Sequence, residues 1–197
     1  IKYGADAVYI GGPAFSARSA AGNSLEDIAK LVEFAHIYNA RIYVALNTIL
    51  TDDELAEAEK LAWSLYKVGV DALIIQDYGL LRADLPPIAL HASTQMDNRN
   101  LDKVKFWEKC GFEQVVLARE TDIKSMAHIA SHTNVRLESF IHGALCVSYS
   151  GQCYMSQRML GRSANRGECG QPCRMKYSLY DADGKTIAKD KYLSHKI

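Results

Sequence analysis

Short apolar runs alternate along this chain with longer segments in which apolar residues recur every three or four positions. The runs are rich in Val, Ile, Leu and Tyr, which is typical of parallel strands covered on both faces. They lie at residues 7–10, 42–46, 72–75, 88–90, 115–117 and 135–141. The segments between them predict amphipathic helices, so the pattern indicates an α/β fold made of successive β/α units.

Capping residues mark the start of two of these helices. Ser24, with Asp27 three residues later, resembles a capping box, and Thr51 or Asp52 caps the next helix. Shorter helices are predicted at residues 78–84, 101–109 and 123–131. Each crossover between parallel strands is expected to be right-handed.

A doubly wound sheet and a closed barrel both fit this alternation. No Gly-x-Gly-x-x-Gly follows the first strand, which leaves the dinucleotide-binding sheet with little support. We therefore predict an incomplete (β/α)8 barrel of the TIM type, with six strands in residues 1–145. The chain opens on Ile1 without a methionine, and we interpret it as a fragment that lacks the first strand and the end.

The two segments after the barrel differ from it in pattern. Residues 146–174 are rich in cysteine and glycine. Residues 175–197 form a predicted β extension, because alternating arms flank Asp181-Ala-Asp-Gly184, a hairpin turn signal.

Composition limits the class of protein. The chain has 197 residues, 48% of them hydrophobic, and 23 basic against 23 acidic side chains, which suits one soluble domain. No signal peptide or long apolar run is visible, so we expect a cytoplasmic protein with no membrane partner. Against this neutral background, a cluster of arginines stands in the cysteine-rich segment, and they are Arg158, Arg162, Arg166 and Arg174.

Four of the five cysteines lie close together in the sequence. Cys146, Cys153, Cys169 and Cys173 are separated by six, fifteen and three residues. Disulfides would need an oxidising compartment. Zinc sites usually show two short Cys-x₂₋₄-Cys pairs, whereas only Cys169 and Cys173 are that close here, and an iron–sulfur cluster tolerates the wider gap. We favour an iron–sulfur cluster, but the spacing alone does not decide between this cluster, zinc as the alternative metal, and disulfides.

Longer motifs around these cysteines resemble one family. They are Glu138-Ser-Phe-Ile-His-Gly-Ala-Leu-Cys146, Ser150-Gly-Gln-Cys153 and Arg162-Ser-Ala-Asn-Arg-Gly-Glu-Cys169-Gly-Gln-Pro-Cys173, with Gly4-Ala-Asp-Ala-Val-Tyr-Ile-Gly-Gly12 and His91-Ala-Ser-Thr-Gln95 upstream. The chain is similar in these motifs to the peptidase U32 family. That family is named for collagenase-like proteolysis, but other members hydroxylate RNA or take part in ubiquinone hydroxylation. The resemblance implies a [4Fe–4S] cluster on Cys146, Cys153, Cys169 and Cys173.

Polar residues stand where the predicted strands end, which is where barrel enzymes carry their active sites. Burying such groups without partners costs about 1–3 kcal/mol each, so we expect one pocket for a small anionic ligand. We assign catalytic roles to His91, Arg119, Glu138 and His142. We assign ligand binding to Arg18, Asn47, Gln76 and Gln95, and RNA contacts to Arg158, Arg162 and Arg166.

Three functions are consistent with this sequence. The resemblance implies an RNA-modifying enzyme that hydroxylates a pyrimidine in tRNA or rRNA, with prephenate as a possible co-substrate and a second U32-family protein as a possible partner. The family name implies a peptidase, although no His-Glu-x-x-His or Gly-x-Ser-x-Gly motif is present. A non-catalytic redox or scaffold protein is the third alternative.

Overall fold

The computed structural model describes residues 1–17, 22–143 and 146–193. Its centre is a sheet of six strands in which every neighbouring pair is parallel. The order of the strands in the sheet follows their order along the chain. The strands are β1 (Ala7–Gly11), β2 (Arg41–Leu46), β3 (Ala72–Ile75), β4 (Ala89–Ala92), β5 (Gln114–Val116) and β6 (Arg136–Glu138). This confirms the prediction of an α/β fold built from β/α units.

Helices connect the strands and begin where the capping signals predict. The Ser24 hydroxyl accepts a hydrogen bond from the Asp27 backbone N–H at 3.1 Å, and the Thr51 N–H donates to Glu54 Oε2 at 2.8 Å. The four helices of this region are α1 (Leu25–Ile37), α2 (Asp52–Lys67), α3 (Leu101–Lys109) and α4 (Ile123–Ala130). The expected helix at residues 78–84 is only a short 3₁₀ helix, Tyr78–Arg82, because Pro86 and Pro87 follow closely and leave little room before β4.

Side chains alternate between the two faces of the sheet. One face packs on the helices through a buried core that includes Ile42, Val44 and Leu73. The other face is concave, and its buried apolar residues are Tyr43, Ala72 and Ile74. Among the described residues, helix side chains pack in the first of these two clusters and none packs in the second.

The sheet curls until its first and last strands approach each other. The Tyr9 hydroxyl of β1 donates a hydrogen bond across the concave face to Glu138 at the end of β6. The two residues are 129 positions apart in the sequence. The described strands therefore form a curled half-barrel.

Two strand boundaries differ from the sequence prediction. His91 does not follow β4, as the pattern suggested, but lies inside it, because its ring is buried against Tyr43. The sixth strand ends at Glu138 rather than at residue 141, and Phe140 and Ile141 are exposed. Both residues are apolar, and the sequence pattern alone could not distinguish them from strand positions.

The cysteine-rich segment docks at the carboxyl edge of this sheet through close backbone contacts. Gly151 lies so close to β4 that an added Cβ would stand 1.8 Å from the Gln95 carbonyl oxygen. Farther along, Ile49 donates its N–H to the Asn165 carbonyl at 3.0 Å, which fixes the segment to the loop after β2. The segment also contains a short helix, α5 (Met155–Leu160).

The remaining strands form a separate hairpin, as predicted. Strands β7 (Lys176–Tyr180) and β8 (Thr186–Tyr192) are antiparallel and form their own two-stranded sheet. The Gly184 N–H donates to the Asp181 carbonyl at 3.1 Å in the turn. None of the helices in residues 1–17, 22–143 and 146–193 is long and apolar enough to cross a membrane.

Replacement of Gly151 tests the docking of the cysteine-rich segment. Gly151 has φ +73°, and Gly161 has a similar φ of +68° but no atom within 4 Å of an added Cβ. Both alanine variants should lose about 1–2 kcal/mol of the free energy of unfolding, because alanine is disfavoured in the left-handed backbone conformation. Gly151→Ala should lose a further ~1–3 kcal/mol from the steric clash with Gln95 and expose residues 152–170 to protease.

Denaturant unfolding and limited proteolysis of the two variants measure this difference. Equal losses in Gly151→Ala and Gly161→Ala would show that the close approach to Gln95 does not hold the segment.

Candidate functional site at the carboxyl edge of the sheet

Three amide side chains meet at the ends of β2, β3 and β4. Gln95 Nε2 donates to the Asn47 carbonyl at 3.1 Å, and Gln76 Nε2 lies 3.5 Å from the Gln95 carbonyl. Asn47 Nδ2 donates to the Ser93 hydroxyl at 3.3 Å. Three of the predicted ligand-binding residues therefore form one polar cluster. The fourth, Arg18, lies outside the described residues.

Gln76 has an unused hydrogen-bond acceptor in this cluster. Its side chain is 7% exposed, and its Oε1 has no hydrogen-bond partner within the described part of the chain. A buried amide oxygen without a partner is uncommon, because leaving it unpaired costs free energy. A ligand that donates a hydrogen bond would satisfy Gln76 Oε1.

Arg119 links the end of β5 to the cysteine-rich segment. Its Nε and its backbone N–H each lie 3.3 Å from the Ser150 hydroxyl. Ser150 is fully buried, and it donates from its N–H and its hydroxyl to the two Glu120 oxygens, each at 3.0 Å. Arg119 and Glu120 thus hold the segment against the sheet edge.

Glu138 lies on the concave face and not among the amides. Its Oε2 accepts hydrogen bonds from the Tyr9 hydroxyl and from Gln114 Nε2. Burial, and then the bond to Glu138, raises the pKa of Tyr9 well above its usual value. His142, the other predicted catalytic residue near this point, is exposed and has no hydrogen bond among the described residues. Glu138 and His142 share no hydrogen bond within the described residues.

His91 is buried in the half-barrel as a neutral ring. It is 1% exposed and lies edge-on to Tyr43, with ring centroids 4.6 Å apart. Burial lowers the pKa of His91 to about 4, and the charges of Arg136 and Arg41 add to this effect. Neither ring nitrogen has a hydrogen-bond partner within the described residues. His91 therefore shares no hydrogen bond with the amides or with Arg119 within the described residues.

The four clustered cysteines are free thiols that share one neighbourhood. Burial raises the pKa of Cys173, and the nearby thiols of Cys146, Cys169 and Cys153 raise it further. Among the described residues, no three His, Cys, Asp or Glu side chains are already arranged around one metal ion. Four neighbouring thiols are the donor set of an iron–sulfur cluster, which distributes its ligands over several iron atoms. The donor chemistry fits such a cluster.

Local packing connects the helix that follows Cys153 to the loop that follows Cys169. The Gly170 N–H donates to the buried Ser156 hydroxyl on α5 at 2.9 Å. An added Cβ at Gly170 would stand 2.4 Å from Cδ1 of Leu160, so the Leu160 side chain would have to move to make room for it. α5 follows Cys153 directly, and Gly170 follows Cys169, so this contact aligns the two cysteine loops.

The arginines of the cysteine-rich segment differ in their surroundings. Arg166 donates to both Glu54 oxygens, at 2.9 and 2.6 Å, and to the Ile49 carbonyl at 2.9 Å. These hydrogen bonds lower the pKa of the Glu54 carboxyl to about 2. Arg158 and Arg162 are exposed and form no ion pair within the described residues. Arg166 clamps the segment to α2, whereas Arg158 and Arg162 face solvent.

Sequence reasoning did not identify Tyr9, Tyr43, Gln114 and Ser150 as parts of these networks. A signal was present for Tyr9 and Tyr43, since each alternates with core residues of its strand and so faces the concave side. Ser150 gave no signal of its own, because its role depends on Glu120, which is 30 residues away.

Comparison with known proteins identifies the class to which this fold and site belong. The family model described as Peptidase family U32 matches residues 1–196. The chain belongs to the peptidase U32 family.

Relatives within the family carry different names. The chain is 58% identical to the 23S rRNA 5-hydroxycytidine C2501 synthase of Escherichia coli, over 98% of this chain and 30% of the relative. It is 40% identical to tRNA hydroxylation protein P1 of Bacillus subtilis, over 93% of this chain and 44% of that relative. It is 34% identical to a collagenase of Porphyromonas gingivalis, over 93% of this chain and 47% of that relative. The chain thus spans less than half of the length of each of these relatives.

A solved structure in the family supports the fold. The U32 peptidase Mk0906 superposes with a TM-score of 0.57 at 12% identity, over 68% of this chain and 60% of that chain. At this identity the similarity concerns the fold alone.

The neutral state of His91 predicts acid sensitivity. Its pKa in the folded protein, about 4, lies below the ordinary value of 6.5, so protons bind the unfolded chain first as the pH falls. The contribution of the neutral His91 ring to the free energy of unfolding is fully present above about pH 6.5. It is lost toward pH 4, by up to ~2–3 kcal/mol. His91→Gln should remove most of this loss, whereas His128→Gln, at an exposed helix position, should not.

Urea unfolding of the parent and both variants between pH 4 and 7.5 measures this effect. A His91→Gln variant with the parent's pH dependence would contradict a buried neutral ring.

Proposed function

We propose that this chain is part of an iron–sulfur enzyme that hydroxylates a pyrimidine base in RNA. The main support is the 58% identity to the rRNA hydroxycytidine synthase across 98% of the chain, together with 40% identity to a tRNA hydroxylation protein. Such a high identity over nearly the whole chain argues for related chemistry. The rRNA and tRNA substrates also imply a cytoplasmic location.

We infer that the six strands belong to a (β/α)8 barrel. The support is their parallel, sequential order and the curl that lets Tyr9 reach Glu138. In this fold, active sites form at the carboxyl ends of the strands. Asn47, Gln76, Gln95 and Arg119 all lie at that edge.

We propose that Cys146, Cys153, Cys169 and Cys173 hold a [4Fe–4S] cluster. Their free thiols share one neighbourhood, and the segment that carries them is anchored to the sheet edge by Ser150 and Arg166. When bound, the cluster would supply one-electron redox chemistry. The chain's own contribution is to fix the cysteine loops beside the polar edge of the sheet.

We propose that a small anionic co-substrate binds at the amide cluster, with prephenate as the candidate. Pockets for small ligands combine a concave site with a few convergent polar groups. Gln76 Oε1 is a buried acceptor without a partner among the described residues, so it can accept a hydrogen bond from a ligand hydroxyl. The Arg119 guanidinium, which touches Ser150 through Nε, is the nearby cation for a carboxylate.

Peptidase activity is the second candidate, because the collagenase of Porphyromonas gingivalis is 34% identical to the chain. A cysteine peptidase needs a histidine within hydrogen-bond reach of its thiol. Within the described residues, His142 forms no hydrogen bond and His91 is buried against Tyr43, so neither serves Cys146 or Cys153 as a base. A non-catalytic redox or scaffold protein is the third candidate, and it would bind no small ligand at the sheet edge.

Cysteine replacement tests both the cluster and the reaction. The full-length protein purified without oxygen should contain about four iron and four sulfide per chain and absorb visible light. Cys146→Ala should lose this absorption and, in cells, the hydroxylated pyrimidine detected by nucleoside mass spectrometry. Cys110→Ala, the fifth cysteine at the end of α3, is the matched control and should retain both.

Two results would count against this assignment. One is stoichiometric zinc without iron after strictly anaerobic purification, which would support the zinc alternative. The other is an unchanged set of RNA nucleosides when the intact protein is removed, together with cleavage of gelatin by the purified protein.

Arg158 and Arg162 are proposed to contact RNA phosphates. Binding of tRNA or an rRNA fragment should weaken about tenfold or more between about 50 and 200 mM salt. Arg158→Glu with Arg162→Glu should remove most of the binding. Lys30→Glu with Lys67→Glu changes the charge equally on the outer helices α1 and α2, and should have little effect.

Filter binding or fluorescence anisotropy over a salt series measures these affinities. Equal losses in the two double variants would indicate a general effect of net charge and would exclude a local phosphate contact.

A further inference from the structure

Tyr149 is an exposed aromatic residue in a rigid part of the cysteine-rich segment. Its side chain is 59% exposed and lies between Cys146 and Cys153 in the sequence. The next two residues are the fixed points of the segment, since Ser150 is fully buried and Gly151 touches the Gln95 carbonyl. The backbone therefore holds the Tyr149 ring at the surface.

A second contact fixes the orientation of the ring. The Arg99 guanidinium carbon stands 4.1 Å from the centroid of the Tyr149 ring, in a cation–π arrangement. Two hydrogen bonds of 2.7 Å, from Arg99 Nε and Nη2 to the two Asp97 oxygens, hold the guanidinium in place. Lys103 Nζ also donates to the Asp97 carbonyl, at 3.0 Å.

The loop that carries Arg99 is anchored in the sheet. Its neighbour Asn98 is fully buried and donates to the carbonyls of Ser93 and Val116, at 2.8 and 2.9 Å. Trp107 Nε1 donates to Asn98 Oδ1 at 2.9 Å. Buried hydrogen bonds thus hold the residue next to each partner of the Tyr149–Arg99 contact, namely Ser150 and Asn98.

This arrangement has the properties of a stacking platform for a nucleobase. Proteins that recognise unpaired RNA bases stack them on aromatic rings and on guanidinium planes. An enzyme that modifies a base in folded RNA must also take that base out of its stack and hold it beside the reactive group. A rigid exposed ring within four residues of two cluster cysteines meets this requirement.

We propose that the Tyr149–Arg99 pair stacks on the pyrimidine that is to be hydroxylated. This inference rests on the proposed function, because it assumes an RNA substrate. Arg158 and Arg162, on the same cysteine-rich segment, would contact the neighbouring phosphates. Tyr149 would then position the base, and Arg99 would orient Tyr149.

Binding of cytidine oligonucleotides tests the platform. The probes are a short oligocytidylate and an abasic ribose–phosphate chain with the same number of phosphates, so that their difference reports the bases alone. The full-length, cluster-containing protein should prefer oligocytidylate by about tenfold or more. Tyr149→Ala should abolish the preference, Tyr149→Phe should keep it, and Arg99→Gln should reduce it severalfold.

Tyr154→Ala is the matched control. Tyr154 lies on the same segment and is 63% exposed, but among the described residues its ring contacts no other ring or cation. The Tyr154→Ala variant should keep the full preference for oligocytidylate over the abasic chain. The cluster absorption of every variant should match that of the parent protein.

The outcomes separate this inference from the proposed function. A Tyr149→Ala variant with the parent's preference, or an equal loss in Tyr154→Ala, would overturn the platform while RNA binding stands. A parent protein that binds neither probe would overturn both, and binding of a collagen-like peptide in its place would support the peptidase alternative.

Discussion

The close contact between Gly151 and the Gln95 carbonyl is the constraint on which the candidate site depends. The contact leaves no room for a Cβ, so the cysteine-rich segment lies directly on the ends of the strands. Ser150, beside it, is surrounded by Arg119 and Glu120 and needs no partner from solvent. The strand ends and the thiols can share one site because this joint fixes their separation.

The concave face of the half-barrel carries Glu138 and His91 beside its apolar residues, and these two groups have different surroundings. Glu138 is occupied by Tyr9 and Gln114, and its carboxylate connects the two outer strands. His91 remains neutral beside Tyr43, because burial and two nearby arginines disfavour its protonated form. Glu138 and His91 thus lie on the concave face, whereas the amides and Arg119 lie at the carboxyl edge of the sheet.

Local patterns predicted the parts of the fold that local physics determines. The caps at Ser24 and Thr51 and the turn at Asp181 are all formed by hydrogen bonds within a few residues, and the sequence indicated each of them, with Asp52 as an alternative to Thr51. The amide cluster was also foreseeable, because parallel strands bring their carboxyl ends to one edge.

Long-range partners account for what the sequence could not supply. Arg166 looks like any other basic residue of its segment until Glu54, 112 positions earlier, is found beside it. His91 resembles a strand-end polar residue, and only the burial of its ring against Tyr43 shows that it lies inside the strand. The exposed ring of Tyr149 gains meaning from Arg99, which no local periodicity connects to it.

The hydrogen bond from Tyr9 to Glu138 also has a consequence for synthesis on the ribosome. Chains begin to fold from the amino terminus as they emerge, but this bond cannot form until the sixth strand has left the exit tunnel. Cys146 and the other three clustered cysteines are translated only after that strand. The order of translation thus places all six strands in the nascent chain before the first of the four thiols.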